Sequence, residues 1–231
     1  MNKKDIYLTF DVDWAKDKEI LKVWDMLRPF NIKSTWFMTH QSDALKKLSE
    51  HTLVETGIHP NLNIGSTQCS KWDQILNKIF HRPPTLEIVM KYLLRLYPQA
   101  KVYRTHAEYF SHYLNKDMAV KYKMKINSSI CLFGVKNITP FLTRYGNDLI
   151  MNTYYCWSDD SELTNKVWDE PFVDYNKILK NNNLLILDFH PKHIANDKRV
   201  SAFLEYIISS NEYDCKYLSN LCYYGFPPRT K

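Results

Sequence analysis

The sequence predicts a single α/β domain spanning residues 1–231, and three observations carry that prediction. Short apolar runs alternate with segments whose apolar residues recur at helical spacing, the pattern of strands joined by helices. The length of 231 residues is ordinary for one such domain and buries a full core without disulfides or a structural metal. One candidate strand after another ends in an acid, a histidine or an arginine.

The elements follow in chain order. Ile6–Phe10 reads as a buried strand. Asp17 can cap a helix over Lys18–Arg28, in which Ile20, Leu21, Trp24 and Leu27 share a face. Pro29 and Asn31 end it, and Ser34–Thr39 is a second strand. Ser42 caps a short helix through Leu48, and Leu53–Ile58 is a third strand. Pro60–Ser70 is polar and turn-rich, hence a loop. Thr85 precedes an amphipathic helix, Leu86–Leu96, stopped by Pro98. Val102–Tyr103 is a brief strand and Asn115–Lys123 a helix. Between Ile126 and Pro171 the pattern is weak, with strands at Ile130–Phe133 and Leu149–Tyr154. Leu184–Phe189 is the clearest buried strand, followed by a helix over Arg199–Ser209.

Composition narrows the class. Aromatic residues are plentiful (16 Tyr, 11 Phe, 6 Trp), which argues against disorder. With 5 Gly, collagen-like and Gly-rich linker readings fall away. The cysteines (Cys69, Cys131, Cys156, Cys215 and Cys222) are odd in number and form no C-x-x-C pair, so a reduced, cytoplasmic protein is expected. No apolar run of signal length precedes Asp11, and no window approaches the ~18 apolar residues of a membrane span. A net charge of +6 suits an anionic substrate. Because the basic residues are dispersed, nucleic acid is not an expected partner.

The chemistry sits at strand ends: Asp11 and Asp13, His40, His59, Arg104 and His106, then His190. In a barrel of parallel strands those ends converge on one mouth. In extended geometry Asp11 and Asp13 share a face, so one carboxylate can ligate a cation while the other accepts a proton from its water. His59 is a candidate ligand, and Asn63, four residues on, could face the same ion, although amides are poor zinc ligands. Arg104 can hold a carboxylate such as Asp11 in a bidentate pair, and His106 could supply a third ligand. His190 suits a general acid, with Asp159 or Asp160 to orient it and His193 in a surface loop. Trp14, Tyr109 or Trp157 could stack on a sugar. No cysteine has the paired histidine of a nucleophile.

These residues, in this order, resemble the polysaccharide deacetylase (NodB-homology, carbohydrate esterase family 4-like) superfamily. The likeness is greatest to its divergent branch in bacterial surface-polysaccharide biosynthesis. Thr9-Phe10-Asp11-Val12-Asp13 is similar to the family's T-F-D-D motif, and Ser34-Thr35-Trp36-Phe37 to its A-T-F-F strand. Gly57-Ile58-His59-Pro60-Asn61 stands where H-x-x-x-H occurs, Arg104-Thr105-His106 at the arginine motif and Leu187-Asp188-Phe189-His190 at the last histidine motif. The resemblance implies a distorted (β/α)7 barrel and a divalent metal, usually Zn2+ with Co2+ or Ni2+ possible, hydrolysing an N-acetyl group. It also implies Asp11 as general base, Asp13 and His59 as metal ligands, Arg104 as the residue orienting the base and His190 as general acid. A carbohydrate or nucleotide-sugar is then the expected substrate. The second histidine of H-x-x-x-H is Asn63 here: either His106 completes the triad from another strand, or the metal is bound weakly, or catalysis is lost. The alternatives are a carbohydrate-binding barrel without activity and a hydrolase of a small amide or cyclic imide.

Overall fold

The computed structural model describes residues 3–133, 135, 139–160 and 175–223. Parallel strands alternate with helices, as the periodicity predicts. The strands are β1 (Lys4–Asp11), β2 (Ser34–Met38), β3 (Val54–Ile58), β4 (Val102–Tyr103), β5 (Ile126–Cys131), β6 (Phe141–Tyr145), β7 (Asp148–Tyr155), β8 (Trp157–Ser158), β9 (Leu185–Phe189) and β10 (Tyr213–Cys215). They form one sheet in the order β6-β7-β5-β4-β3-β2-β1-β9-β8, with β10 added beside the start of β1. Among the described residues, every pairing is parallel except the β6–β7 hairpin. Chain continuity joins the ends of this sheet. β7 pairs with β5, and β8, one residue further on, pairs with β9. The hydrogen-bonded order itself is open, with β6 and β8 at its ends; the α/β class is the one expected, and the β7–β8 link is how the distorted barrel would close.

The helices are α1 (Asp17–Leu27), α2 (Asp43–Ser49), α3 (Lys71–Ile79), α4 (Leu86–Leu96), α5 (His112–Val120), α6 (Tyr175–Asn181), α7 (Pro191–Asn196) and α8 (Lys198–Ser209). Ser42 and Thr85 cap α2 and α4 as predicted, accepting from the backbone N–H of Leu45 and Ile88. Asp17 instead begins α1 and accepts from the Ala44 N–H. α5 starts three residues earlier than expected because Ser111 caps it. Sequence periodicity found neither α3 nor the β6–β7 hairpin, and residues 161–171 of the weakly patterned stretch lie outside the described residues. Among the described residues, no helix is long and apolar enough to cross a membrane.

Strand alternation sorts the side chains into two layers. Ile6, Leu8 and Phe10 of β1 face the helices, as do Leu187 and Phe189 of β9, where Phe10 stacks on Trp36 and Trp157 meets Phe203. Tyr7, Phe37, Val102, Ile126, Met151, Tyr155 and Ile186 form a second cluster. On these strands Thr9, Asp11, Arg104, Ser128 and Asp188 share the parity of that second set, so polar groups follow apolar ones toward the C-terminal ends.

Candidate active site

Four strand ends deliver the predicted residues to one mouth. Asp11, Asp13, His59, Arg104, His106 and His190 all line a cleft of about 270 Å³. His40 does not: its Nδ1 bonds the Thr39 hydroxyl and it lies outside the cleft. Asp13 is not reached by extended backbone. β1 ends at Asp11, and a left-handed turn at Asp13 (φ 43°) and Trp14 (φ 56°) follows. Ala107 and Glu108, across the mouth, share this uncommon conformation, so backbone strain collects where the polar groups meet.

Asp13 Oδ1 lies 3.2 Å from His59 Nε2 and 3.2 Å from His106 Nδ1, and the two imidazole nitrogens are 3.3 Å apart. Ligands at about 2.0–2.1 Å around a tetrahedral zinc stand ~3.3 Å from one another. The triangle therefore matches one face of such a shell and leaves the fourth position open. Asp13 Oδ1 is buried without a well-directed hydrogen bond, the condition of a ligand atom rather than of a finished polar network. Burial alone raises the Asp13 pKa, but the imidazoles of His106, His190 and His59 outweigh it and hold the carboxyl well below the usual range. At His59 burial lowers the pKa, and Asp11 and Asp13 outweigh it to raise it overall.

His106 arrives here because its backbone N–H donates to the Pro60 carbonyl, which ties the chain after β4 to the chain after β3. Asn63 is exposed and its N–H bonds the Asn61 side chain. The expectation that Asn63 faces the ion therefore fails. Residues four apart share a face on a helix, whereas this stretch is loop.

Arg104 is buried beneath the triangle, its guanidinium between the rings of Phe37 and Tyr155 at 4.5 and 4.3 Å. The expected bidentate pair with Asp11 is absent. Nη1 donates to Asp11 Oδ1 (2.9 Å) and to Asp188, Nη2 to Thr9 and Ser128 hydroxyls, and Nε to the Ser128 carbonyl. All five guanidinium N–H groups are thus used. Two buried carboxylates share one cation, so burial and then the Asp11 charge push the Asp188 pKa up despite Arg104. Ser158 donates to the other Asp188 oxygen.

His190 is held by Asp159, which accepts from its backbone N–H (2.8 Å) and from Nδ1 (2.6 Å). Nε2 is left facing Asp13 Oδ2 at 3.5 Å. Burial lowers the His190 pKa, but Asp159 and Asp188 raise it well above the ordinary value. Burial raises Asp159, and His190 and His193 outweigh that to lower it. Asp159 is fully buried, not solvated as acidic pairs in loops usually are. His193, expected in a surface loop, sits in α7 with Nδ1 3.3 Å from Asp159. Asp13 with His59 and His106, Asp159 with His190 and His193, and Asp11 with Asp188 and His190 are the three described groups that could hold a metal ion. Only in the first does a ligand triangle lack alternative hydrogen bonds.

Sequence reasoning passed over Asp188. The signal was present: Asp188 and His190 stand at i and i+2, the spacing used for Asp11 and Asp13. Of the aromatic candidates, Trp157 is core, Trp14 packs edge-on against His106 and Tyr109 is exposed.

Mostly parallel strands whose C-terminal ends bring acids and histidines to one mouth define an α/β fold with its site at the strand ends. The family model for WbmS-like polysaccharide deacetylases matches residues 8–206, and the chain belongs to that family. No curated protein matches it significantly. A Bordetella bronchiseptica structure, assigned as a polysaccharide deacetylase involved in O-antigen biosynthesis, superposes with a TM-score of 0.65. It is 22% identical over 89% of this chain and 80% of its own. A family 4 carbohydrate esterase from Bacillus anthracis matches at TM-score 0.50 and 17% identity, over 96% of this chain and 83% of its own. A 4-alpha-glucanotransferase from Thermococcus litoralis matches at TM-score 0.56 and 13% identity, over 98% of this chain and 41% of its own. Likeness at these identities shows the fold alone, and the fold does not select a reaction.

Proposed function

We propose that this protein is a cytoplasmic, divalent-metal-dependent hydrolase that removes an N-acetyl group from a sugar, in a glycan or nucleotide-sugar, during surface-polysaccharide biosynthesis. The observation that carries this reading is the triangle of Asp13 Oδ1, His59 Nε2 and His106 Nδ1, with Asp11 and His190 beside it. One carboxylate and two imidazoles suit Zn2+, with Co2+ or Ni2+ as alternatives. A bound ion supplies Lewis acidity that polarises the acetamide carbonyl and brings the pKa of water toward ~7.

The chain supplies the proton transfers. Arg104 fixes Asp11 Oδ1, leaving Oδ2 to take a proton from the attacking water. His190, held as the imidazolium by Asp159, donates from Nε2 to the departing amine as the C–N bond breaks. Acetate and the free amino sugar result, and the proton taken up at Asp11 is matched by the one given up by His190. The cleft, at about 270 Å³, is below the ~300–1,000 Å³ of drug-sized ligand sites. It has room for an acetamido group beside the residues that would act on it. Free Cys69, Cys131, Cys156 and Cys215 support a reducing compartment.

Metal analysis of the purified protein, beside Asp13→Ala and His106→Ala, tests this reading together with acetate release from N-acetylhexosamine saccharides and a nucleotide-linked N-acetylhexosamine. Stoichiometric metal lost in both variants, with activity lost in parallel, is expected. A protein that takes up no metal at micromolar concentrations overturns the hydrolase reading and leaves a carbohydrate-binding barrel.

A further inference from the structure

Helix α3 is built inside out. Two of its polar residues turn toward the protein: Asn77 is buried and accepts from Arg82 Nε, and the Gln74 amide donates to the carbonyls of Thr67 and Cys69. Its apolar residues turn to solvent, with Trp72 67%, Ile75 50% and Ile79 63% exposed, and Phe80 just beyond it 63% exposed. Positions 72, 75 and 79 fall along one stripe of a 3.6-residue helix. A surface helix ordinarily buries that stripe, so this one is left for a partner.

The charges around the stripe indicate which partner. Lys71 and Lys78 are seven residues apart, nearly eclipsed on the helix, and both are exposed along one edge of the apolar face. Arg82 follows, its guanidinium over the Phe80 ring. The helix's one acid, Asp73, is turned back onto the Ser70 hydroxyl. Pairing α3 with an antiparallel second copy keeps the lysine edge on the same side of both helices and sets like charges together. An apolar, aromatic stripe bordered by cations is instead complementary to the interface of an anionic bilayer.

We propose that α3 docks this protein reversibly on anionic lipid surfaces, with Trp72, Ile75 and Ile79 entering the interface and Lys71, Lys78 and Arg82 meeting headgroup phosphates. The helix begins three residues after Gln68, whose amide donates to the carbonyls of Thr39 and His59. The docking helix thus follows directly on a segment tied to the ends of β2 and β3. This inference does not depend on the reaction carried out in the cleft.

Co-sedimentation of the full chain with phosphatidylcholine vesicles, with and without phosphatidylglycerol, tests it. Binding to the anionic vesicles is expected, weakening with salt. It should fall roughly 30-fold in Lys71→Gln/Lys78→Gln and vanish in Trp72→Ser/Ile75→Ser/Ile79→Ser, with melting temperatures unchanged. The charge variant alters only exposed side chains, so it remains informative if the triple variant misfolds. Wild-type protein that stays in the supernatant overturns the proposal, as does binding that both variants retain. A concentration-dependent dimer in sedimentation velocity, abolished by the triple variant without vesicle binding, assigns the stripe to a second copy and likewise overturns it.

Discussion

His106 Nδ1 stands 3.3 Å from His59 Nε2 across 47 residues of sequence, and one backbone hydrogen bond, His106 N–H to the Pro60 carbonyl, sets the register. The second imidazole at the mouth therefore comes from the next strand, not from the next turn of the same loop. Two substitutions separate these origins. Asn63→Ala should leave bound metal unchanged and kcat/KM within about twofold, since surface changes away from a site have small effects. Asn63→His should add no affinity. Loss of metal in Asn63→Ala, read by elemental analysis, would return the ligand role to that position.

Asp159 positions His190 through two hydrogen bonds. General acids contribute about 10²–10⁴-fold, so His190→Ala should lower kcat by that order with KM nearly unchanged. Asp159→Asn should lower it by a comparable factor while leaving metal content intact.

The same pair shapes stability against pH. Asp159 has a lowered folded pKa, so its contribution is present above the unfolded carboxylate value of ~3.9 and lost as pH falls through the folded one. His190 has a raised folded pKa, so its contribution is complete below ~6.5 and lost as pH rises through the folded value. Asp159→Asn should move the alkaline loss of stability to lower pH, measured as urea midpoints of chelator-treated protein. An alkaline limb that does not move would show that Asp159 is not what holds the imidazolium.

Arg104 neutralises a barrel interior that otherwise holds two facing acids. Arg104→Met should cost about 3–5 kcal/mol by stranding Asp11 and Asp188. Arg104→Met/Asp188→Asn should recover a substantial part, because removing one stranded charge is coupled to removing its partner. Additive effects in denaturant melts would contradict the shared ion pair.

Gly57 lies where β2, β3 and β4 press together. A Cβ there would come within 2.7 Å of Phe37 Cδ1 and 2.9 Å of Val102 Cγ2. Gly57→Ala should destabilise by ~1–3 kcal/mol, lowering Tm by roughly 2–4 °C per kcal/mol at this chain size. An unchanged Tm would mean that the Phe37 ring moves aside freely.

Legibility followed the range of the forces involved. Strands β1, β2, β3, β4 and β9 and helices α1, α2, α4 and α8 were readable because burial imposes a local period and caps such as Ser42 and Thr85 act within three residues. α3 escaped notice: it reverses the rule that reading relies on, burying Asn77 and exposing Trp72. The short pieces β8, α7 and β10 escaped because two to six residues carry too little pattern.

The six proposed site residues, Asp11, Asp13, His59, Arg104, His106 and His190, were nameable from sequence because strand ends in a parallel α/β ring converge. What those residues do to one another was not. That Arg104 forks between Asp11 and Asp188 and that Asp159 lies buried behind His190 depend on neighbours dozens of residues away. So does the closing of the triangle by His106 in place of Asn63. The sequence by itself determined the alternating strands and helices and which chemistry could gather at their ends. Only the tertiary structure decided which atoms meet, because distances of 3 Å between distant residues are set by barrel closure and loop registration, and neither leaves a periodic trace in the chain.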